Sequence, residues 1–454
     1  MGTEVTVCKN TLKVTMFPWL AQGHIGPFLR VAKDLVDRGF LIYLQSTAIN
    51  LKLTIKKITE KYSPSIQLIE LHLPELPELP SHLHTTNGLP PHLNKTLQKA
   101  LKMAKPNLSK ISSDLKVTLV VYDFLLQWAS GVANDQGIPA VKLATSGAAV
   151  LAYMFNLNKK PGHEFPFEAI YLRKLEKEKM SEALAQSAKD AERDGLFPFS
   201  DGNSQIMLMS TSRVIEAKYI DYLSKFANWK VVPVGTPVRD PAQSDADEKG
   251  LMDWLGKKDP HSTVFVSFGS EYFLSKRQRE EIAFGLVLSN VNFIWVARFP
   301  KGAEQSLEDA LPKGFLERAG DRGRVLTKFA PQLRILSHPS TGGFISHCGW
   351  NSVMEAVDAG VPIIAMPQHL DQPMNARLIV ELGVAVEVRR PDGGKVHREE
   401  LAQILRDVIQ GKSGQNLKAN MRDIAKLLKL IRDEEMDTAA EELLRLCKNS
   451  RKQK

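Results

Sequence analysis

Three polar residues stand where a catalyst could use them: His24 in the loop after a short apolar run, and Asp123 and Thr145 each closing one. An aspartate bonded to one imidazole nitrogen fixes the tautomer and stabilises the imidazolium, so that the other nitrogen can take a proton as a general base. Singly these residues say little. A histidine at a strand end is commonly structural, and an aspartate after a strand is commonly a helix N-cap. Adjacent strand ends of one sheet, however, lie about 5 Å apart, within reach of a His–Asp hydrogen bond. A second kind of chemistry sits near the other end of the chain. Residues 342–346 read as a buried strand, His347-Cys348-Gly349 as a turn, and 350–355 as a helix start with Ser352 and Glu355 at capping-box spacing. A glycine-containing turn between strand and helix gathers backbone N–H groups and the positive end of the helix dipole, which predicts an anion site.

These groups need sheets to place them. Residues 12–17 form a strand ended by Pro18. After the loop WLAQGH, Ile25, Phe28, Leu29, Ala32, Leu35 and Val36 repeat at helical spacing over 25–38; Gly39 stops the helix and a strand begins over 41–44. This β-α-β unit predicts a parallel sheet with a right-handed crossover, and puts His24 in the loop at the strand's C-terminal end, where open α/β sheets bind ligands. Strands over 118–122 and 140–144 end at Asp123 and Thr145, with a helix over 128–134 between them. The proline-rich stretch 73–91 reads as a long, substrate-facing loop. Residues 156–205 are charged and weakly patterned, and predict nothing functional. A stretch rich in proline, glycine and acidic residues over 234–249 reads as an interdomain linker. Beyond it, strands over 263–268, 292–297 and 362–366 and helices over 276–288 and 371–382 flank the anion-site stretch, and 398–446 is mostly helical. The expected fold class is α/β, two Rossmann-like units with boundaries at 1–235, 236–250 (linker), 251–430 and 431–454, the last a helix returning to the first domain.

Composition narrows the function. At 454 residues the chain is about three times a typical domain length. Its net charge of +9 is spread over the chain, with no zinc-finger spacing and no aromatic-basic RNA signature, which argues against nucleic acid and for an anionic substrate. Three cysteines, Cys8, Cys348 and Cys447, suit a reducing compartment rather than a disulfide scaffold. With no apolar run long enough to span a bilayer and no secretory leader, a soluble cytoplasmic protein is expected. No G-x-S-x-G, H-E-x-x-H or G-x-G-x-x-G after the first strand is present, and the Gly411-Lys412-Ser413 run has Arg406 where a P-loop needs glycine.

At residues 329–372 (FAPQLRILSHPSTGGFISHCGWNSVMEAVDAGVPIIAMPQHLDQ) the chain resembles the signature box of plant UDP-sugar-dependent glycosyltransferases, and the resemblance runs nearly end to end. It implies a GT-B fold, two Rossmann-like domains facing across a cleft. The same resemblance implies that Phe329 stacks on uracil, that Ala330 and Gln332 meet the base edge, and that Glu355 accepts from the ribose. His347, Asn351, Ser352 and Ser270 would grip the diphosphate; Trp350, Asp371 and Gln372 would hold the sugar; Thr145 would lie near it. His24 becomes the catalytic base and Asp123 its partner, in an inverting transfer that needs no metal and no other cofactor. A closing glutamine goes with UDP-glucose.

The segments FPWLAQGHIGPFL, LHTTNGLPPHL and VFVSFGSEYFLS resemble the branch-forming subgroup, which adds sugar to sugar on terpenoid, steroid or flavonoid glucosides, steviol glycosides among them. Glucose transfer to a hydroxyl of an existing sugar, through a β-1,2 or β-1,6 bond, is therefore expected, with His84, Thr85, Thr86 and Asn87 lining the acceptor pocket. The alternatives are an aglycone-directed glucosyltransferase and, more remotely, a non-catalytic UDP-sugar or glycoside binder. Two positions depart from the family pattern: Phe329 replaces the common tryptophan, and Gly235-Thr236-Pro237 replaces Gly-Pro. The expected partners are UDP-glucose and a small glycoside, with no nucleic acid, no membrane insertion and a monomeric state.

Overall fold

The computed structural model describes residues 12–159, 163–190, 205–235, 246–269, 272–299, 307–327, 330–390 and 395–452. Ser270, Phe329, Cys8 and most of the expected linker lie outside these residues.

Two parallel sheets carry the chain. The first contains β1 (Lys13–Phe17), β2 (Leu41–Ser46), β3 (Ile66–Glu70), β4 (Leu119–Asp123), β5 (Ala140–Ala144), β6 (Ile206–Met209) and β7 (Lys230–Pro233), in the order β3-β2-β1-β4-β5-β6-β7. The second contains β8 (Thr263–Ser267), β9 (Asn292–Val296), β10 (Gly323–Leu326), β11 (Thr341–Ser346), β12 (Ile363–Ala365) and β13 (Ala385–Glu387), in the order β10-β9-β8-β11-β12-β13. β4, β5, β8 and β11 are buried at every residue, as strands covered by helices on both faces must be. In both sheets the strand order reverses once, between β1 and β4 and between β8 and β11. Such a switch point opens a crevice at the carboxyl ends of the strands.

The expected helix over 25–38 runs from Gln22 to Val36, so His24 lies in its first turn and not in the preceding loop. Ala21, extended at φ −118°, ends the loop, and its carbonyl accepts from Ile25 N, which starts the helix early. Pro27 falls inside this helix and has no N–H to give to the carbonyl of Gly23, four residues back.

The helix Lys412–Lys452 joins the halves. Met436, Ala439, Ala440, Leu443 and Cys447 pack into the core of the first sheet with Val14, Met16 and Leu35. Arg38 pairs with Asp437 at 2.7 Å and Lys230 with Glu442 at 2.6 Å. Further charges cross between the halves: Arg377, 3% exposed, meets Glu176 at 2.8 Å, Arg173 meets Glu387 at 2.6 Å, and Lys218 meets Glu381 at 2.6 Å. Arg173 and Glu176 belong to the stretch whose sequence pattern predicted nothing.

Candidate active site

At the switch point of the first sheet, His24 Nδ1 lies 2.7 Å from Asp123 Oδ2 and 3.0 Å from Thr145 Oγ1. β1 and β4 are direct neighbours with Phe17 level with Tyr122, which is why the residues after them meet. Asp123 is fully buried, and its orientation is fixed from two more sides: Oδ2 accepts from Trp19 N and Oδ1 from Leu125 N, each at 3.1 Å. The His24 ring, 20% exposed, lies nearly parallel to Phe124 at 6.4 Å. With Nδ1 donating to the carboxylate, Nε2 is the nitrogen that can receive a proton.

The second switch point is built from one contiguous stretch. β11 ends at Ser346, Cys348 takes a left-handed conformation (φ 64°), and Gly349 leads into the helix Trp350–Ala359. No side chain caps that helix. The expected capping box of Ser352 and Glu355 is therefore absent. The helix starts at Trp350, so Ser352 is its third residue and cannot cap it. Three apart on one helix face, Ser352 and Glu355 instead share a partner: Gln332 Nε2 reaches Ser352 Oγ at 3.1 Å and Glu355 Oε2 at 2.6 Å. A true capping box occurs elsewhere, between Ser275 and Gln278. The uncapped first turn of Trp350–Ala359 keeps its N–H groups for an anion.

The imidazole of His347 lies between two glycines. A Cβ at Gly269 would come within 2.7 Å of its Nε2, and one at Gly349 within 2.6 Å, so neither position admits a side chain. Burial, and then the charge of His369, push His347 down to about 4, which leaves the ring neutral at pH 7. Its Nδ1 is buried without a protein partner, so a neutral ring here has one polar atom available to a ligand. Burial likewise pushes the Glu355 carboxyl up to about 7, against the opposing hydrogen bond from Gln332 and the charge of Lys57.

The halves touch at this helix start. Asn351 Nδ2 donates to Gly23 O at 2.5 Å, the carbonyl that Pro27 leaves without a helical donor. The indole N–H of Trp350 donates to Ser210 O at 2.7 Å, so that group holds the other half rather than a sugar. Asp371 Oδ2 accepts from Asn375, and Gln372 Oε1 accepts from Gln368 N and His369 N. Ala330, buried, accepts Gln332 N through its carbonyl.

The four acceptor-loop residues divide. His84 and Thr85 are buried and tie the loop down instead of lining a pocket: His84 Nε2 meets Leu79 O, Thr47 Oγ1 donates to His84 O, and Thr85 Oγ1 donates to Asn50 Oδ1 at 2.8 Å. Thr86 and Asn87 are half-buried, and Thr86 N bonds Leu20 O, beside the His24 turn. Sequence reasoning missed Glu216, a buried carboxylate next to this site. Nothing in its local pattern distinguishes it from a surface glutamate on a helix. Among the described residues no cluster of His, Cys, Asp or Glu could hold a metal ion, and no helix is long and apolar enough to cross a membrane.

Two Rossmann-like sheets, a His–Asp pair at one switch point and an uncapped helix start facing it at the other define a GT-B glycosyltransferase. The chain superposes on TcCGT1 in complex with UDP with a TM-score of 0.79 at 25% identity, over 96% of this chain and 100% of that one. Residues 10–235 match the family described as glycosyltransferase, N-terminal domain, and 243–438 that described as UDP-glucoronosyl and UDP-glucosyl transferase. A beta-D-glucosyl crocetin beta-1,6-glucosyltransferase of Gardenia jasminoides is 52% identical over 95% of this chain and 98% of its own length. A mogroside IIIx synthase of Siraitia grosvenorii is 46% identical over 97% and 94%. The chain belongs to the plant family 1 UDP-glycosyltransferases.

Proposed function

We propose that the protein transfers glucose from UDP-glucose to a hydroxyl of a sugar already present on a small terpenoid, steroid or flavonoid glycoside, forming a β-1,2 or β-1,6 bond. The observation that carries the chemistry is the 2.7 Å His24–Asp123 bond at the switch point that faces the donor-box helix. Sugar as the acceptor is supported by the relatives, the Gardenia enzyme being named as a beta-1,6-glucosyltransferase of beta-D-glucosyl crocetin.

In this reading His24 Nε2 takes the proton of the acceptor hydroxyl. The oxygen attacks the anomeric carbon as its bond to the UDP oxygen breaks on the opposite face, and configuration inverts. Asp123 stabilises the imidazolium that forms. The diphosphate leaves onto His347, Asn351, Ser352, Ser270 and the free N–H groups of the helix start, donors placed where negative charge develops. That donor set gives the departing charge a home without a metal, and EDTA is expected to leave turnover unchanged. Glu355 and Gln332 take the ribose, Phe329 and Ala330 the base, Asp371 and Gln372 the sugar, and Thr145 lies beside it. Residues 1–235 hold the acceptor and 251–430 the donor, joined by a linker over 236–250 and the returning helix over 431–454. The protein works as a soluble cytoplasmic monomer.

The test is a panel of monoglucosides and their aglycones with UDP-glucose, with NMR of the product. A new glucose on the existing sugar is expected. Activity on aglycones with none on their monoglucosides would refute the acceptor class.

A further inference from the structure

Glu216 is fully buried in the helix Arg213–Phe226, and the backbone leaves helical geometry at this residue (φ −128°, ψ 23°). Burial pushes its carboxyl up, opposed by three hydrogen bonds: Thr211 Oγ1 donates at 2.6 Å, Ala148 N at 2.7 Å and Ala149 N at 2.8 Å. The two backbone donors open the helix Ala148–Lys159, so its cap comes from a distant part of the chain. The residue before that helix is Gly147, where a Cβ would lie 2.9 Å from Glu216 Oε1 and 3.2 Å from Trp350 Cε3. Two residues earlier stands Thr145, in contact with His24 Nδ1. On the other side Thr211 follows Ser210, whose carbonyl holds the Trp350 indole. One carboxylate thus braces the loop beside the base and adjoins the anchor of the first residue of the donor helix.

We propose that Glu216 is a positioning residue for glucosyl transfer. It holds the Thr145–Gly147 loop between His24 and Trp350 and so sets the base against the donor. The proposal rests on the transferase reading above. A carboxylate accepts all three bonds at once. Glutamine has one acceptor oxygen and would turn an NH2 group onto a backbone N–H, which shifts the loop; misplacement by about 1 Å costs on the order of a hundredfold in rate.

Glu216→Gln and Gly147→Ala load the same joint from opposite sides, the second by steric contact with the carboxylate kept. Steady-state kinetics, calorimetric UDP affinity and thermal melting are measured for both. In each folded variant kcat is expected to fall at least about tenfold while the Kd for UDP stays within about threefold. A folded Glu216→Gln protein with kcat within about threefold of wild type, or with UDP affinity lost in proportion to kcat, would overturn the proposal. If that variant does not fold, Gly147→Ala decides by the same criteria. A wild type that releases no UDP with any glycoside removes the transferase reading itself, whereas an active wild type with unaffected variants removes only the role of Glu216.

Discussion

The two halves of this protein solve one topological problem in opposite ways. Each is a parallel sheet whose strand order reverses once, and each puts its polar groups at that reversal. In the first half the groups come from three separated places, His24, Asp123 and Thr145, brought together by the pairing of β1, β4 and β5. In the second half His347, Asn351, Ser352 and Glu355 follow one another along a turn and the helix after it. A site that must recognise one invariant group, a nucleoside diphosphate, can be a single local motif. Activating a varied acceptor asks for a base held rigidly while the surrounding loops are free to differ. The halves meet through Asn351 and the Gly23 carbonyl that Pro27 leaves open, so the motif of one touches the helix that carries His24 in the other.

If labour is divided this way, changes in the first half should lower turnover and changes in the second should weaken donor binding. The largest expected effect is His24→Ala, which should lower kcat about a thousandfold, the middle of the range for loss of a general base. Assayed with UDP-glucose and a monoglucoside, a change of less than about tenfold would break the comparison on its first side. On the second side, His347→Ala removes the imidazole proposed to lie against the leaving diphosphate. It should lower kcat/KM for UDP-glucose about a hundredfold and raise the Kd for UDP. The seam between the halves is tested by Arg377→Met, which leaves Glu176 without the guanidinium it now meets at 2.8 Å. Breaking such a pair costs on the order of 3 kcal/mol, and a lowered melting temperature with near-normal kcat is expected.

The smallest effect sharpens the comparison. Glu355, with its carboxyl at about 7, is mostly protonated below neutrality and accepts hydrogen bonds best when ionised. UDP affinity should therefore rise as pH increases through about 7 and level off above it. Glu355→Gln should remove that rise and weaken binding by about tenfold. An unchanged pH dependence in this variant would take Glu355 away from the ribose.

How much of this could be read from the residues follows the same division. The contiguous half was legible: its strand, turn and helix fall where their residue types and spacing put them. The error there was local, since Ser352 and Glu355 have the spacing of a capping box but begin three residues past the N-cap, Gly349. In the other half Asp123 was legible because it closes an apolar run, and His24 because it follows one by a short loop, and a parallel sheet brings such ends together. His84 and Thr85 misled because a polar residue in a loop looks alike whether it faces a ligand or anchors the backbone. Glu216 was invisible for a related reason. Its partners, Ala148 and Ala149, come from elsewhere in the chain, and their bonds to it are made by the backbone, which carries no sequence signature. The strands β3, β6, β7, β10 and β13 escaped because they are only three to five residues long and lie toward the sheet edges.

The division of labour is tested most directly by titrating UDP into the His24→Ala protein in a calorimeter. A dissociation constant equal to that of the wild type, in a protein that no longer turns over, is the predicted result. UDP affinity lost in step with turnover would contradict it, because the two halves would then be one inseparable site.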